Sequence, residues 1–171
     1  MQTLTMAAVA RETQVDRLLA AARETIVQVP FFWVVTPTPN GRGANARVVN
    51  AQLGDAGEDF WTRWFLTPRI GRKAAEIQAT GRVTLAYQPK SGNAYVALTG
   101  PAELIDDRQE VNRRFRGSAY DDPEGITAAS LIAVKVTADH LEVHVRGVTA
   151  EPWGRGRTLI DRDTSRIWHL A

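Results

Sequence analysis

Residues 31–53 read Phe31-Phe32-Trp33-Val34-Val35-Thr36-Pro37-Thr38-Pro39-Asn40-Gly41-Arg42-Gly43-Ala44-Asn45-Ala46-Arg47-Val48-Val49-Asn50-Ala51-Gln52-Leu53. The first six are aromatic or β-branched and stop at a proline, the composition of a strand and its end. Asn40-Gly41 follows, a pair that tolerates positive φ and so suits the turn of a hairpin. A return strand is expected over Ala44–Leu53. Antiparallel pairing is thereby set at the first strand, and the rest of the chain repeats the pattern.

Downstream, Phe60–Leu66 reads as a third strand. Gly71–Thr80 has Ala74, Ile77 and Gln78 at helical spacing, with Gly81 placed to cap the C-terminus. Val83–Tyr87 and Tyr95–Ile105 form a second hairpin across Pro89–Asn93, and an Arg-rich helix is expected over Asp107–Arg116. Leu131–Val136 and Leu141–Val145 are two further strands. In the second of these, Leu141, Val143 and Val145 alternate with Glu142, His144 and Arg146, which predicts one buried and one wet face. Upstream, Leu18, Leu19, Ala22, Ile26 and Val27 recur at helical spacing. The expectation is one domain over 1–171: a helix at about 13–28, a barrel at about 31–146 and a tail at 147–171 without clear period. Six or seven antiparallel strands with a few flanking helices make a β-rich α+β protein. A closed or partly closed barrel is the economical solution, because closure removes exposed edges.

Composition narrows the function. Of 171 residues, 44% are hydrophobic and 23% charged, which excludes wholesale disorder. A net charge of +2 is too small to imply a general nucleic-acid or membrane surface. The absence of cysteine rules out disulfides, thiolate catalysis and cysteine-ligated metals. No stretch reaches the ~20 apolar residues of a membrane helix, and residues 1–15 lack a secretory pattern; a soluble, cytoplasmic protein is expected. His140, His144 and His169 have no metal-site spacing, and no nucleophile elbow is present. Trp33, Trp61 and Trp64 suit packing, and Asp106-Asp107 and Asp121-Asp122 suit helix starts and turns.

The segment Phe65-Leu66-Thr67-Pro68-Arg69-Ile70-Gly71-Arg72-Lys73 carries the chemistry. It runs from a strand end into a helix start, where free N–H groups and the helix dipole favour an anion. Arg72 and Lys73 oppose that dipole, an arrangement a bound phosphate would offset. A solvated basic turn is the alternative. Arg47, in Asn45–Gln52, could reach the same anion if its strand lies beside Phe60–Leu66, and open backbone groups along Val48–Asn50 could meet a flat heterocycle edge-on.

Taken in order, Arg47-Val48-Val49, the aromatic strand, Thr67, Arg72-Lys73-Ala74-Ala75-Glu76-Ile77, Arg82-Val83-Thr84-Leu85 and Tyr95-Val96-Ala97-Leu98-Thr99-Gly100-Pro101-Ala102-Glu103-Leu104 resemble the pyridoxamine 5′-phosphate oxidase-like flavin-binding split barrels, most nearly the general stress protein 26 type. The resemblance spans Ile26 to Val145. It implies a Greek-key split β-barrel and a homodimer with FMN at the subunit interface. It assigns Arg47, Val48, Val49 and Asn50 to the flavin, Leu66 and Thr67 to the ribityl chain, and Arg72 and Lys73 to the phosphate. Tyr95 stands where the oxidases carry Gln, and Glu142-Val143-His144 replaces Glu-Phe-Trp. Both are expected to face the substrate side of the flavin. No counterparts of the residues that grip pyridoxal phosphate are evident, although Arg155 and Arg157 lie nearby.

The resemblance therefore implies an FMN-dependent oxidoreductase acting on a small molecule, with NAD(P)H as a candidate donor. It does not imply an efficient oxidase of vitamin B6 phosphates. No residue is assigned as catalytic. A non-catalytic flavin-binding or stress-related module, or the same barrel holding F420 or haem, is the alternative.

Overall fold

The computed structural model describes residues 2–51, 57–116, 127–152 and 158–171, with residues 2–13 described as backbone only. Gln52, Leu53, Asp121, Asp122, Arg155 and Arg157 lie outside the described residues. The chain forms an N-terminal helix α1 (Gln2–Val27), strands β1 (Phe31–Pro37), β2 (Ala44–Asn50) and β3 (Thr62–Pro68), and helix α2 (Arg72–Thr80). Strands β4 (Arg82–Tyr87) and β5 (Ala94–Ile105), helix α3 (Arg108–Arg116), and strands β6 (Leu131–Thr137), β7 (His140–Val145), β8 (Leu159–Arg162) and β9 (Trp168–Leu170) complete it. Two compact units result: residues 30–85 with 99–138, and residues 1–29 with 86–98 and 139–171. Strands β4 and β5 contribute residues to both.

The unit of residues 30–85 and 99–138 is the split barrel. Its strands follow the order β2-β1-β4-β5-β6-β3, and β2 and β3 end the series without pairing to one another. The hairpin forms as the sequence predicts: β1 and β2 pair antiparallel from Phe31↔Asn50 to Pro37↔Ala44. Its turn is closed by Thr38 and Gly43, whose N–H···O distance is 2.9 Å, and Gly41 takes φ +67°, a value that suits glycine. Phe32, Val34, Phe65, Ile77, Val83 and Leu85 fill the interior. Phe32 and Phe65 meet edge to face at 6.2 Å. Gly81 caps α2 in the left-handed conformation at φ 66°, its N–H bonding Ile77 O.

The outer side of β3 and β6 carries a second cluster, Trp64, Leu66, Leu131 and Ala133 with Val111 of α3. The Arg-rich helix α3 is fastened here by a buried cation. The Arg114 guanidinium stacks 3.5 Å over the Trp64 ring and bonds Glu110 Oε1 at 2.6 Å. Trp64 Nε1 donates to Glu58 Oε1 at 2.7 Å. Burial opposes the ionised form of Glu110, but hydrogen bonds from Arg113 and Arg114 outweigh it and hold its pKa below the usual range. In the middle of β5, a Cβ on Gly100 would stand 1.9 Å from the carbonyl oxygen of Thr137, so only glycine fits.

In the other unit, α1 packs on β7 and β9, burying Val15, Leu18, Ala22 and Ile26 on one stripe. The first part of β5 continues through β7, β8 and β9.

Four expectations are corrected. Among the described residues the six or seven expected strands become nine, because the tail supplies β8 and β9. Helix α1 begins at Gln2 rather than near residue 13. Val27, counted on the apolar stripe of α1, is exposed. Strand β3 starts at Thr62, not Phe60, because Asp59 holds the preceding turn through bonds to the N–H groups of Trp61 and Thr62. No helix among the described residues is long and apolar enough to cross a membrane.

Candidate functional site

Helix α2 starts where β3 ends. Gly71 is its extended N-cap and offers no side chain, and the first turn holds no acidic residue. The N–H groups of that turn and the positive end of the dipole are therefore left without a carboxylate, with Arg72 and Lys73 added on top. Arg72 is 75% exposed. Lys73 is half-buried, its Nζ 5.6 Å from the centroid of Phe65. Burial, and then the Arg47 charge, lower the Lys73 pKa from 10.5 to about 8.

One turn further along α2 lies Glu76, only 4% exposed. Its carboxylate gathers groups from three elements. Thr36 Oγ1 of β1 donates to Oε2 at 2.5 Å, and Asn45 Nδ2 of β2 donates to Oε1 at 2.6 Å. Arg47 Nη1 of β2 lies 2.9 Å from Oε2 and also donates to Thr36 Oγ1 at 2.6 Å. Arg72 Nε is 3.7 Å from Oε1. The Arg47 hydrogen bond, ahead of those from Thr36 and Asn45, holds the Glu76 carboxyl below its ordinary pKa despite burial. Arg47 and Arg72 thus flank one carboxylate, and with Lys73 at the same helix start the three cations leave a surplus of two positive charges. Arg47 Nη2 is buried and has no hydrogen-bond partner among the described residues.

Arg47 arrives by a different route from the one expected. Its strand pairs with β1, not with β3, and the guanidinium reaches α2 across the inner face of the hairpin. The phase of the pairing follows from Ala51 N–H to Pro30 O at 2.9 Å and Thr38 N–H to Gly43 O at 2.9 Å. In an antiparallel ladder the bonded pairs alternate, so Asn45, Arg47 and Val49 turn their backbone groups to β1. Those of Ala46, Val48 and Asn50 point the other way, along the outer edge of the sheet. The side chains alternate as well: Asn45, Arg47 and Val49 face inward with Phe32, Val34 and Thr36. Val48 is exposed on the outer face opposite Trp33, beside exposed Phe31.

On β3, Leu66 and Thr67 are both buried but face opposite ways. Leu66 packs in the α3 cluster, whereas Thr67 alternates onto the side of Phe65 and so of Lys73. Tyr95 and His144 belong to the other unit. There they meet each other, with rings 6.2 Å apart and 27° from parallel. His144 Nε2 lies 2.9 Å from Glu142 Oε1. His144 is only 6% exposed, which corrects the expectation of a wet face on β7: the alternation is present, but this position is covered on both sides. Burial, and then the charge of Glu142, raise the Tyr95 pKa. Among the described residues no three His, Asp or Glu side chains converge as a metal set.

Glu76, Thr36 and Asn45 were not expected at the site. The available signal was Glu76 itself, a carboxylate three residues after Lys73 and next to the core residue Ile77. On a helix that places it on the buried stripe, where it needs a partner.

Comparisons with known proteins agree with this architecture. No curated protein matches the chain. A pyridoxamine 5′-phosphate oxidase-related, FMN-binding protein from Nostoc punctiforme superposes with a TM-score of 0.59 at 15% identity, covering 88% of this chain and 90% of that one. General stress protein 26 from Bacillus anthracis gives 0.53 at 17% identity, over 73% and 92%. An F420 reductase gives 0.52 at 16%, over 70% and 94%. At these identities the likeness concerns the fold. The model of the pyridoxamine 5′-phosphate oxidase family matches residues 18–144, which takes in the whole split barrel together with Tyr95 and His144. The chain belongs to the pyridoxamine 5′-phosphate oxidase family.

Proposed function

We propose that this protein binds FMN and works as a flavin-dependent oxidoreductase on a small molecule. The observation that carries the reading is the meeting of Arg47, Arg72 and Lys73 at a helix start that has no side-chain cap, with Arg47 Nη2 buried and unmatched. A phosphate monoester fits such a place: it accepts from backbone N–H groups and both kinds of cation, and its double negative charge equals the surplus. Arg72 and Lys73 would hold the phosphate, and Thr67 would lie along the ribityl chain. Arg47 and the outward backbone groups of Val48 and Asn50 would meet the edge of the ring system. Leu66 would contribute through its backbone, since its side chain is committed to the α3 cluster. Tyr95 and His144 are assigned to the substrate side of the ring by the family resemblance.

The bound flavin supplies the redox chemistry, and the chain's part is to bind it, orient it and set the charge around it. The exposed apolar face of β1 and β2, with Phe31, Trp33 and Val48, suits a two-fold partner that would cover the ring in a homodimer. NAD(P)H is the candidate electron donor.

The test is the absorbance of the purified protein, followed by FMN and riboflavin titration of the Arg72→Ala/Lys73→Ala variant. A flavin spectrum, with FMN binding lost in the variant and riboflavin binding retained, is the expected result. Wild-type FMN affinity in the variant would remove the anion-site assignment. A second reading, the same barrel holding the deazaflavin F420, is favoured by the structural likeness to an F420 reductase; the spectrum separates the two. Bleaching of the flavin band by NADH or NADPH would favour an enzyme over a storage module.

A further inference from the structure

A buried carboxylate beside an anion site is an anomaly. Glu76 lies on the same helical turns as Arg72 and Lys73, and its charge repels any phosphate they attract. It is also the group on which β1, β2 and α2 converge. Both of its oxygens are engaged, by Thr36 and Arg47 on one side and by Asn45 and Arg72 on the other. Arg47 is held twice, once by the carboxylate and once by the Thr36 hydroxyl that the carboxylate itself binds. The result is a guanidinium with its Nη1 fixed and its Nη2 left without a partner among the described residues. An arginine on an edge strand ordinarily keeps considerable rotamer freedom. Here the freedom is removed before any ligand arrives, and one donor is kept in reserve.

We infer that Glu76 is a positioning residue of the ligand site: through Thr36 and Arg47 it aims the free edge of the Arg47 guanidinium at the ring end of the ligand. The inference rests on the flavin reading above. It makes the repulsion of the phosphate a cost accepted for orientation. Two consequences follow that a plain electrostatic role would not produce. Removing the carboxylate lowers affinity instead of raising it, and the loss is carried by the ring end, so that it is shared by a ligand without phosphate. The effect also requires Arg47.

The experiment compares FMN and riboflavin binding by wild type, Glu76→Gln, Arg47→Gln and the double variant. Circular dichroism and thermal melts without ligand show which variants fold. Glu76→Gln should weaken riboflavin about tenfold, the scale of one charge-assisted contact, and FMN by less, because losing the carboxylate also removes its repulsion of the phosphate. In the Arg47→Gln background the same change should bring no further loss, and should improve FMN binding because only the repulsion remains to be removed. Should Glu76→Gln fail to fold, Thr36→Val tests the same linkage. It should weaken both ligands about threefold in the wild-type background and leave them unchanged beside Arg47→Gln.

Unchanged or tighter riboflavin binding in a folded Glu76→Gln variant overturns the positioning role. So does a loss confined to FMN, or an equal loss in both backgrounds. A wild-type protein that binds neither flavin overturns the functional reading itself, an outcome distinct from any of these.

Discussion

If Lys73 meets the phosphate of FMN as proposed, FMN affinity should fall as pH rises. Burial, with the Arg47 charge second, has brought the pKa of the Lys73 ammonium from 10.5 to about 8. The ligand-free protein therefore releases this proton above about pH 8. A phosphate at the start of α2 favours the charged amine, so binding above that pH takes up a proton and the affinity falls as pH rises. With complete coupling, the fall between pH 7 and pH 9 is about tenfold, roughly one decade per pH unit above the free pKa. The phosphate itself does not confuse the measurement, since its second ionisation near ~6 is essentially over by pH 7. Stability of the free protein moves the opposite way. The folded pKa is depressed, so the unfolded chain binds more protons between about 8 and 10.5, and the Lys73 contribution to stability rises with pH across that window. The assay is quenching of flavin fluorescence by titrated protein at pH 7, 8 and 9, run in parallel with riboflavin and with Lys73→Gln. Affinity for FMN should fall, while riboflavin and the variant stay level. A flat FMN profile, or an equal fall for riboflavin, would refute the placing of Lys73 against the phosphate.

Other expectations concern stability, assembly and substrate. Arg114→Ala removes the cation stacked on Trp64 and leaves Glu110 and Glu58 without it, which should cost about 2–3 kcal/mol after allowance for the partly exposed carboxylates, read from denaturant melts. A loss below ~0.5 kcal/mol would show that the cluster is only a surface ion pair. Gly100→Ala should prevent soluble folding, since the backbone of Thr137 cannot withdraw without parting β5 from β6; a variant with wild-type melting would contradict the close approach. On the proposed two-fold contact, light scattering should show a homodimer for the wild type and a monomer with weaker FMN binding for Trp33→Glu, and a dimer unaltered by the substitution would place the interface elsewhere. Steady-state assay with pyridoxamine 5′-phosphate under air should stay well below the ~1 s⁻¹ of an ordinary enzyme, and turnover at or above that rate would show that Tyr95 and His144 do not exclude the reaction.

The sequence exposed those elements in which local chemistry and tertiary environment agree. The β1–β2 hairpin was legible because Pro37 and Asn40-Gly41 bracket a clear aromatic and β-branched run, and α2 because Gly81 marks its end. Leu159–Arg162 and Trp168–Leu170 are too short to display a period and become strands only by pairing beside β7. The first turns of α1 hold Ala7, Ala8 and Ala10, residues of high helix propensity that display no period in the sequence. Phe60 and Trp61 carry strand propensity that the Asp59 turn overrides. At the site, the cations were visible from their place at a helix start. Their counter-charge was not, because Glu76, Thr36 and Asn45 are brought together from positions 31 to 40 residues apart. The burial of His144 was likewise invisible, since alternation along one strand says nothing about what covers its second face.

The outer edge of β2 has a consequence for handling the protein. The backbone groups of Ala46, Val48 and Asn50 point away from β1 along a strand whose exposed side chains include Val48, with Trp33 beside it. Such an edge is a template for another strand, and a second chain can add to it in register-tolerant fashion. Whatever occupies that edge in the working protein also protects it from this fate. If a flavin lies along that edge as proposed, material produced with flavin in short supply should enter inclusion bodies or form thioflavin-positive aggregates. Added riboflavin during expression, or a lysine replacing Val48, should restore the soluble yield by giving the edge a cover or a charge.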